Sequence, residues 1–194
     1  MNPKIKTAVF VLKKNGIIVY PTETSYGIGC KISDVNSVKK IREIKNDRKK
    51  PFIVLVSDKK MAEGIAEISG EAEKLMEKFM PGALTIVVPS KNVSEKVCGK
   101  TIALRISSNE IANEIVKELN EPLISTSANL SGEKPIYSFK KAVKVFGKKV
   151  DFILNTGELE ETEPSTIYSV AEKKVLRKGK ISEKEIEKAL EGKN

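Results

Sequence analysis

Short apolar runs, each the length of a strand, alternate along this chain with stretches whose apolar residues recur every three or four positions. A chain with that alternation buries its strands in one sheet and lays helices on it, so the expected class is α/β with a mixed sheet. Asn2-Pro3 reads as the cap and first residue of a helix with Ile5, Ala8, Val9 and Leu12 on one side and Gly16 as its stop. "IIVY" is then a strand. Asp34 caps a second helix with Val35, Val38, Ile41 and Ile44 along one side. "PFIVLV", "PGALTIVVP", "TIALRIS", "PLISTS" and "DFILN" read as further strands, and "STIYSV" with "KKVLRKG" as a late strand pair. Helices are expected around Met61 to Ile68, Ala72 to Phe79, from Asn109 through "NEIANEIVKEL", and from Phe139 to Phe146. A last helix opens with the capping box "SEKE", Ser182 to Glu185. There is no repeat, low-complexity linker or change of composition, so residues 1–194 are expected to form a single domain.

What the chain lacks narrows its chemistry. It has no histidine, which removes Ser-His triads, imidazole proton shuttles and His-ligated zinc. Its two cysteines, Cys30 and Cys98, make neither a CxxC pair nor a disulfide framework. No apolar run approaches the roughly twenty residues of a spanning helix. Lys13 and Lys14 interrupt the only candidate leader, so a cytoplasmic location with no membrane partner is expected. The formal charge of +9 favours phosphate-bearing ligands. Only four of the 35 basic residues are arginines, Arg42, Arg48, Arg105 and Arg177. Against a lysine-rich surface they stand out, because a guanidinium grips carboxylate or phosphate with two parallel hydrogen bonds.

Polar residues gather where strands end, the usual place for ligands in α/β sheets. "PTETSYGIGC" (Pro21 to Cys30) places four hydroxyls, a carboxylate and two glycines directly after a buried strand. It is either a heavily decorated turn or the lining of a polar site. "STSANLSG" (Ser125 to Gly132) reads as a helix cap with a glycine turn or as a second wall. "REIKNDRKKP" packs Arg42, Lys45, Arg48, Lys49 and Lys50 at a helix end, where they are dipole partners or an anion clamp. Familiar nucleotide fingerprints fail. Ile32 stands where a third glycine would complete G-x-G-x-x-G, and "SGEK" lacks the upstream glycine of a P-loop.

Taken in order, "YPTETSYGIGC", "IKNDRKKPF", "PGALTIVVP", "TIALRIS", "STSANLSG", "PSTI" and "VLRKGKIS" resemble the landmarks of the YrdC/Sua5 family of threonylcarbamoyl-AMP synthases, over nearly the whole chain and in its single-domain form. The resemblance implies a twisted, open mixed sheet with flanking helices around a basic concave cavity. It implies a nucleotidyl transfer in which L-threonine, bicarbonate and ATP, carrying Mg²⁺, give threonylcarbamoyl-AMP and pyrophosphate. The product would serve threonylcarbamoyladenosine modification of tRNA through downstream transfer proteins. By position, Thr24, Tyr26, Arg105 and Ser165 would meet threonine, with Arg105 on its carboxylate. Lys45 and Arg48 would hold phosphates, with Lys50 close by. Thr101, Ser125, Ser127 and Arg177 would line the nucleotide side, and Asn129 would join Lys45, Arg48 and Ser127 at the reacting centre. Two positions depart from the family pattern. Its basic motif is usually Lys-x-Arg, whereas two residues separate Lys45 from Arg48, and Leu55 stands where many members carry a histidine. The alternatives are a module binding double-stranded or structured RNA, to which 5% aromatic content and no tryptophan offer little stacking, and a paralogue with another substrate, against which the complete Ser127 to Gly132 segment speaks.

Overall fold

The computed structural model describes residues 2–46 and 51–192. In chain order its elements are α1 (Pro3–Lys13), β1 (Ile18–Pro21), β2 (Tyr26–Lys31), α2 (Val35–Lys45), β3 (Ile53–Leu55), α3 (Lys59–Ile65), α4 (Gly70–Phe79), β4 (Leu84–Pro89), α5 (Glu95–Cys98), β5 (Thr101–Arg105), α6 (Glu110–Leu119), β6 (Leu123–Ser127), α7 (Phe139–Phe146), β7 (Phe152–Ile153), β8 (Thr166–Ser169), β9 (Lys174–Arg177) and α8 (Glu183–Glu191). The strands form one sheet in the order β7-β1-β2-β6-β3-β5-β4-β8-β9. The pairs β1–β7, β3–β5 and β4–β8 are parallel and the other five antiparallel, so the sheet is mixed as expected.

Side chains alternate across a strand, and residues paired between strands share a face. One face therefore carries Val19, Ile28, Ile124, Val54, Leu104, Ile86 and Tyr168, all buried under α2, α4, α7 and α8 in the larger core. The opposite face is divided. Ile18, Tyr20, Leu55 and Leu123 pack beneath α1 and α6 in a second core. The rest presents Gly27, Gly29, Ser125 and Ser127 on β2 and β6, Thr101, Ala103 and Arg105 on β5, Thr85 on β4 and Arg177 on β9. This register brings the polar members of separate motifs to one side of the sheet.

Local signals place the ends of the elements. Asn2, Asp34, Asp58, Ser69, Asn109 and Ser138 each accept a backbone N–H at a helix start, and Ser182 with Glu185 completes the capping box. At the end of α1 the left-handed residue is Asn15 (φ 63°), not Gly16. Gly16 is small for a different reason: a Cβ there would lie 2.5 Å from Val11 Cγ1. α2 and α6 likewise end on left-handed asparagines, Asn46 and Asn120. "DFILN" yields only two paired residues, because β7 meets β1 at Ile18 and Val19 alone. No helix among the described residues is long and apolar enough to cross a membrane.

Candidate active site

The β1–β2 hairpin explains its own composition. The Tyr20 ring lies across β2 so that its hydroxyl donates to Ser125 Oγ on β6 at 2.7 Å. A Cβ at Gly29 would sit 3.2 Å from Tyr20 Cε1 and 2.2 Å from Ile124 O, and one at Gly27 would sit 3.6 Å from Tyr20 Cζ. The glycines of "YGIGC" are thus the floor on which a tyrosine of the preceding strand rests. Full burial pushes the Tyr20 phenol well up, with the Ser125 hydrogen bond acting the other way, so it stays a neutral donor. In the hairpin loop, Thr22 Oγ1 donates to Ser25 O at 2.7 Å and lies 3.2 Å from Thr24 Oγ1. Thr162, from the β7–β8 connection, reaches the carbonyls of Glu23 and Thr24.

Arginines gather at one end of this face. Arg105 closes β5, is 5% exposed, and donates Nε–H to Gly82 O at 3.0 Å. Its Nη2 forms an ion pair with Glu23 Oε1 but lies off the hydrogen-bonding direction, so Nη2 has no hydrogen-bond acceptor in the protein. Arg177 donates Nε–H and Nη2–H to Ser165 O at 3.1 and 2.8 Å and Nη2–H to Ser165 Oγ at 2.9 Å. Ser165 Oγ in turn lies 2.9 Å from Thr85 Oγ1, and both serine and threonine are buried. Burial, and after it the repulsion of Arg105, pulls the Arg177 guanidinium below its usual pKa. Two guanidiniums whose fields overlap, with Glu23 as the carboxylate paired to one of them, make an anion-binding corner.

A second network forms where α2 meets the end of β6. The Lys45 ammonium, 4% exposed, donates to Ser127 O at 2.5 Å, to Asn129 O at 2.9 Å and to Asn129 Oδ1 at 3.2 Å. Ser127 Oγ donates to the same Oδ1 at 2.5 Å, and Ser131 N–H to Lys45 O at 2.9 Å. Lys45 therefore shapes the "STSANLSG" loop. Lys45→Met removes the donor from two carbonyls and an amide oxygen in a part-buried network. A loss of about 2–3 kcal/mol is expected, lowering the melting temperature by about 4–12 °C in a chain of this size. Differential scanning fluorimetry reads it directly.

The structure groups the expected residues in two sets. Arg105, Ser165 and Arg177 form one, with Thr24 in the loop whose Glu23 pairs with Arg105. Lys45, Ser127 and Asn129 form the other, and Ser125, held by Tyr20, stands between them on β6. Arg177, expected on the nucleotide side, bonds Ser165 and stands close to Arg105, two residues expected to meet threonine. Thr101 is exposed at the start of β5, four residues from Arg105 on the same face. Arg48 and Lys50 lie outside the described residues. Tyr26 departs from expectation. It is fully buried and, one residue before Gly27, falls on the opposite side of β2, where its hydroxyl donates to Gly157 O at 2.9 Å and lies 2.9 Å from Thr156 Oγ1. It anchors the β7–β8 connection and does not line the polar face. Leu55 is paired with Arg105 and packs into the α1–α6 core.

Glu23, Thr85 and Tyr20 were not anticipated in the site. Thr85 had a signal, being the one hydroxyl within the apolar strand "LTIVVP". A groove of about 510 Å³ between α4 and α8 contains none of the motif residues, and its Lys74, Glu77, Lys78, Glu185 and Lys188 mix the two signs of charge. The arginine corner, with its single-signed excess, is the better anion site.

A mixed α/β sheet with two arginines and several hydroxyls on one face, and a lysine of α2 reaching the end of β6, is the architecture set against known proteins. The family model for Sua5, YciO and YrdC proteins, described as telomere recombination, matches residues 10–179. The chain belongs to this family. A threonylcarbamoyl-AMP synthase of Pyrococcus abyssi is 33% identical over 194 residues, covering 96% of this chain and 57% of that protein. The crystal structure of P. abyssi Sua5 complexed with L-threonine superposes with a TM-score of 0.90 at 33% identity, over 95% of this chain and 56% of the other. E. coli YciO superposes with a TM-score of 0.87 at 29% identity, over 94% of this chain and 92% of its own. The chain thus spans a little over half the length of the P. abyssi relative and nearly all of YciO.

Proposed function

We propose that residues 1–194 act as one domain that condenses L-threonine, bicarbonate and MgATP to threonylcarbamoyl-AMP and pyrophosphate, for transfer to tRNA by downstream proteins. One observation supports this reading above the others: Arg105 holds a buried Nη2 without a hydrogen-bond acceptor at one end of the sheet face that carries Ser125 and Ser127, in a chain related to a threonylcarbamoyl-AMP synthase. In this reading Arg105 takes the threonine carboxylate, with Thr24 and Ser165 beside it. The threonine amine and bicarbonate condense to a carbamate with loss of water, and a carbamate oxygen attacks the α-phosphate and expels pyrophosphate. Arg48 and Lys50 hold phosphates, with Mg²⁺ arriving on the nucleotide, and Lys45, whose ammonium donates to Ser127 and Asn129, orders the loop beside them. Thr101, Ser125, Ser127, Asn129 and Arg177 position the nucleotide. A site without histidine suits such a step, because alignment of reactants and neutralisation of phosphate charge carry it.

The test is pyrophosphate release from ATP and bicarbonate, with and without L-threonine and with L-serine as control. Release that depends on threonine is the expected result. Release without an amino acid, or none with folded protein and bound ATP, would refute the assignment.

A further inference from the structure

We infer that Glu23 is the acceptor for the substrate's ammonium group, so that the corner around Arg105 recognises an amino acid as a zwitterion. This rests on the proposed amino-acid site and adds a residue to it.

Three observations lead there. First, Glu23 is fixed by the neighbouring chain as well as by Arg105. Its Oε2 accepts from Ser107 Oγ at 2.5 Å and its Oε1 from Ser108 N–H at 3.2 Å, both at the junction of β5 and α6. A loop carboxylate held this way has a defined position before any ligand arrives. Second, Arg105 Nη2 lies against Glu23 as an ion pair yet directs no hydrogen bond to it, leaving a buried donor with no acceptor. An arginine committed to a structural partner normally uses its fork on that partner. Here Nε–H is spent on Gly82 O and Nη2 makes no hydrogen bond within the protein. Third, Glu23 pairs with Arg105, and Arg105 is close enough to Arg177 for its repulsion to lower the Arg177 pKa, so a carboxylate and two guanidiniums meet here.

A lone anion would need only the arginines. A carboxylate group built beside them suits a ligand carrying a carboxylate and a cation a few ångströms apart, which describes an α-amino acid. A carboxylate offers about four acceptor directions. Ser107 Oγ and Ser108 N–H take two of those on Glu23, and an ammonium N–H is assigned to one of the others.

The experiment compares two ligands by calorimetry. L-Threonine carries carboxylate, hydroxyl and ammonium, and (R)-3-hydroxybutanoate carries the first two only. Glu23→Gln removes the charge and keeps the shape. Its amide oxygen can accept from Ser108 N–H and its NH₂ can donate to Ser107 Oγ. The variant is expected to bind L-threonine at least about tenfold more weakly, the loss of one charge-assisted hydrogen bond. Its affinity for (R)-3-hydroxybutanoate should stay within about threefold, well inside that loss. Glu23→Asp retains the charge and should keep more threonine affinity than Glu23→Gln. Equal losses for both ligands would mean that Glu23 merely supports the loop, and no loss for either would remove it from the site; both outcomes overturn the inference. If the wild-type protein binds L-threonine and Glu23→Gln changes nothing, this inference alone fails. If the wild-type protein binds ATP and no amino acid, the proposed function fails and takes the inference with it.

Discussion

Arg105→Ala is expected to raise the KM for L-threonine by at least about a hundredfold, while the KM for ATP changes little. Truncating one member of a buried charge pair costs about 2–5 kcal/mol, which is a factor of roughly thirty to several thousand in affinity. Two losses combine at this residue. The substrate carboxylate loses the donors at Nη2, and Glu23 loses the cation beside it. Arg105→Lys separates shape from charge. A lysine keeps the counter-ion for Glu23 but has neither the Nε–H that donates to Gly82 O nor a fork for bidentate contact. It should fall between wild type and alanine. Steady-state pyrophosphate release with threonine varied at fixed ATP measures all three. An unchanged KM in Arg105→Ala would move the carboxylate clamp elsewhere, with Arg177 the next residue to vary.

Much of this architecture is written locally. The apolar runs became strands because they are short and rich in β-branched residues, and helix starts followed their capping side chains: Asp34, Asn109 and Ser182 each accept the N–H expected of them. Local signals failed where a neighbour distant in sequence decides. α5 is four residues long, too short for an apolar stripe, and forms beside the cap at Ser94. Tyr26 and Tyr20 both flank the hydroxyl-rich loop, yet pleat alternation sends one toward Gly157 and the other toward Ser125. Only the register of β2 distinguishes them.

The site divides the same way. Arginine stood out against lysine, so Arg105 and Arg177 were legible from residue type alone. Glu23 was visible as the carboxylate of its loop, but its role depends on Arg105 and Ser107, more than eighty positions away. Lys45 was legible as part of a basic run. Its burial beneath Ser127 and Asn129 was not, because the contact joins a helix end to a strand end in another part of the sheet.

Gly29→Ala is expected to destabilise the protein by about 3 kcal/mol or more, at or above the upper end for inserting one methyl group into a packed site, lowering the melting temperature by about 6–12 °C. The added Cβ would fall 2.2 Å from Ile124 O, a backbone atom held in the β2–β6 ladder, and 3.2 Å from the Tyr20 ring. Neither neighbour can yield freely. The carbonyl is fixed by strand pairing, and the ring is fully buried and tied to Ser125. Gly27→Ala makes the comparison. Its Cβ would lie 3.4 Å from Ser125 Oγ and 3.4 Å from Thr22 Cγ2, ordinary contact distances, so its cost should stay within about 1 kcal/mol. The two glycines share a face of one strand and differ by a single step of the pleat. Thermal melts of both variants therefore test whether β2 is small in order to seat Tyr20 against β6. Equal and minor shifts would show that the ring is not seated there. A large shift at Gly29 alone would show that β2 admits no side chain there, where the Ile124 carbonyl and the Tyr20 ring close over the strand.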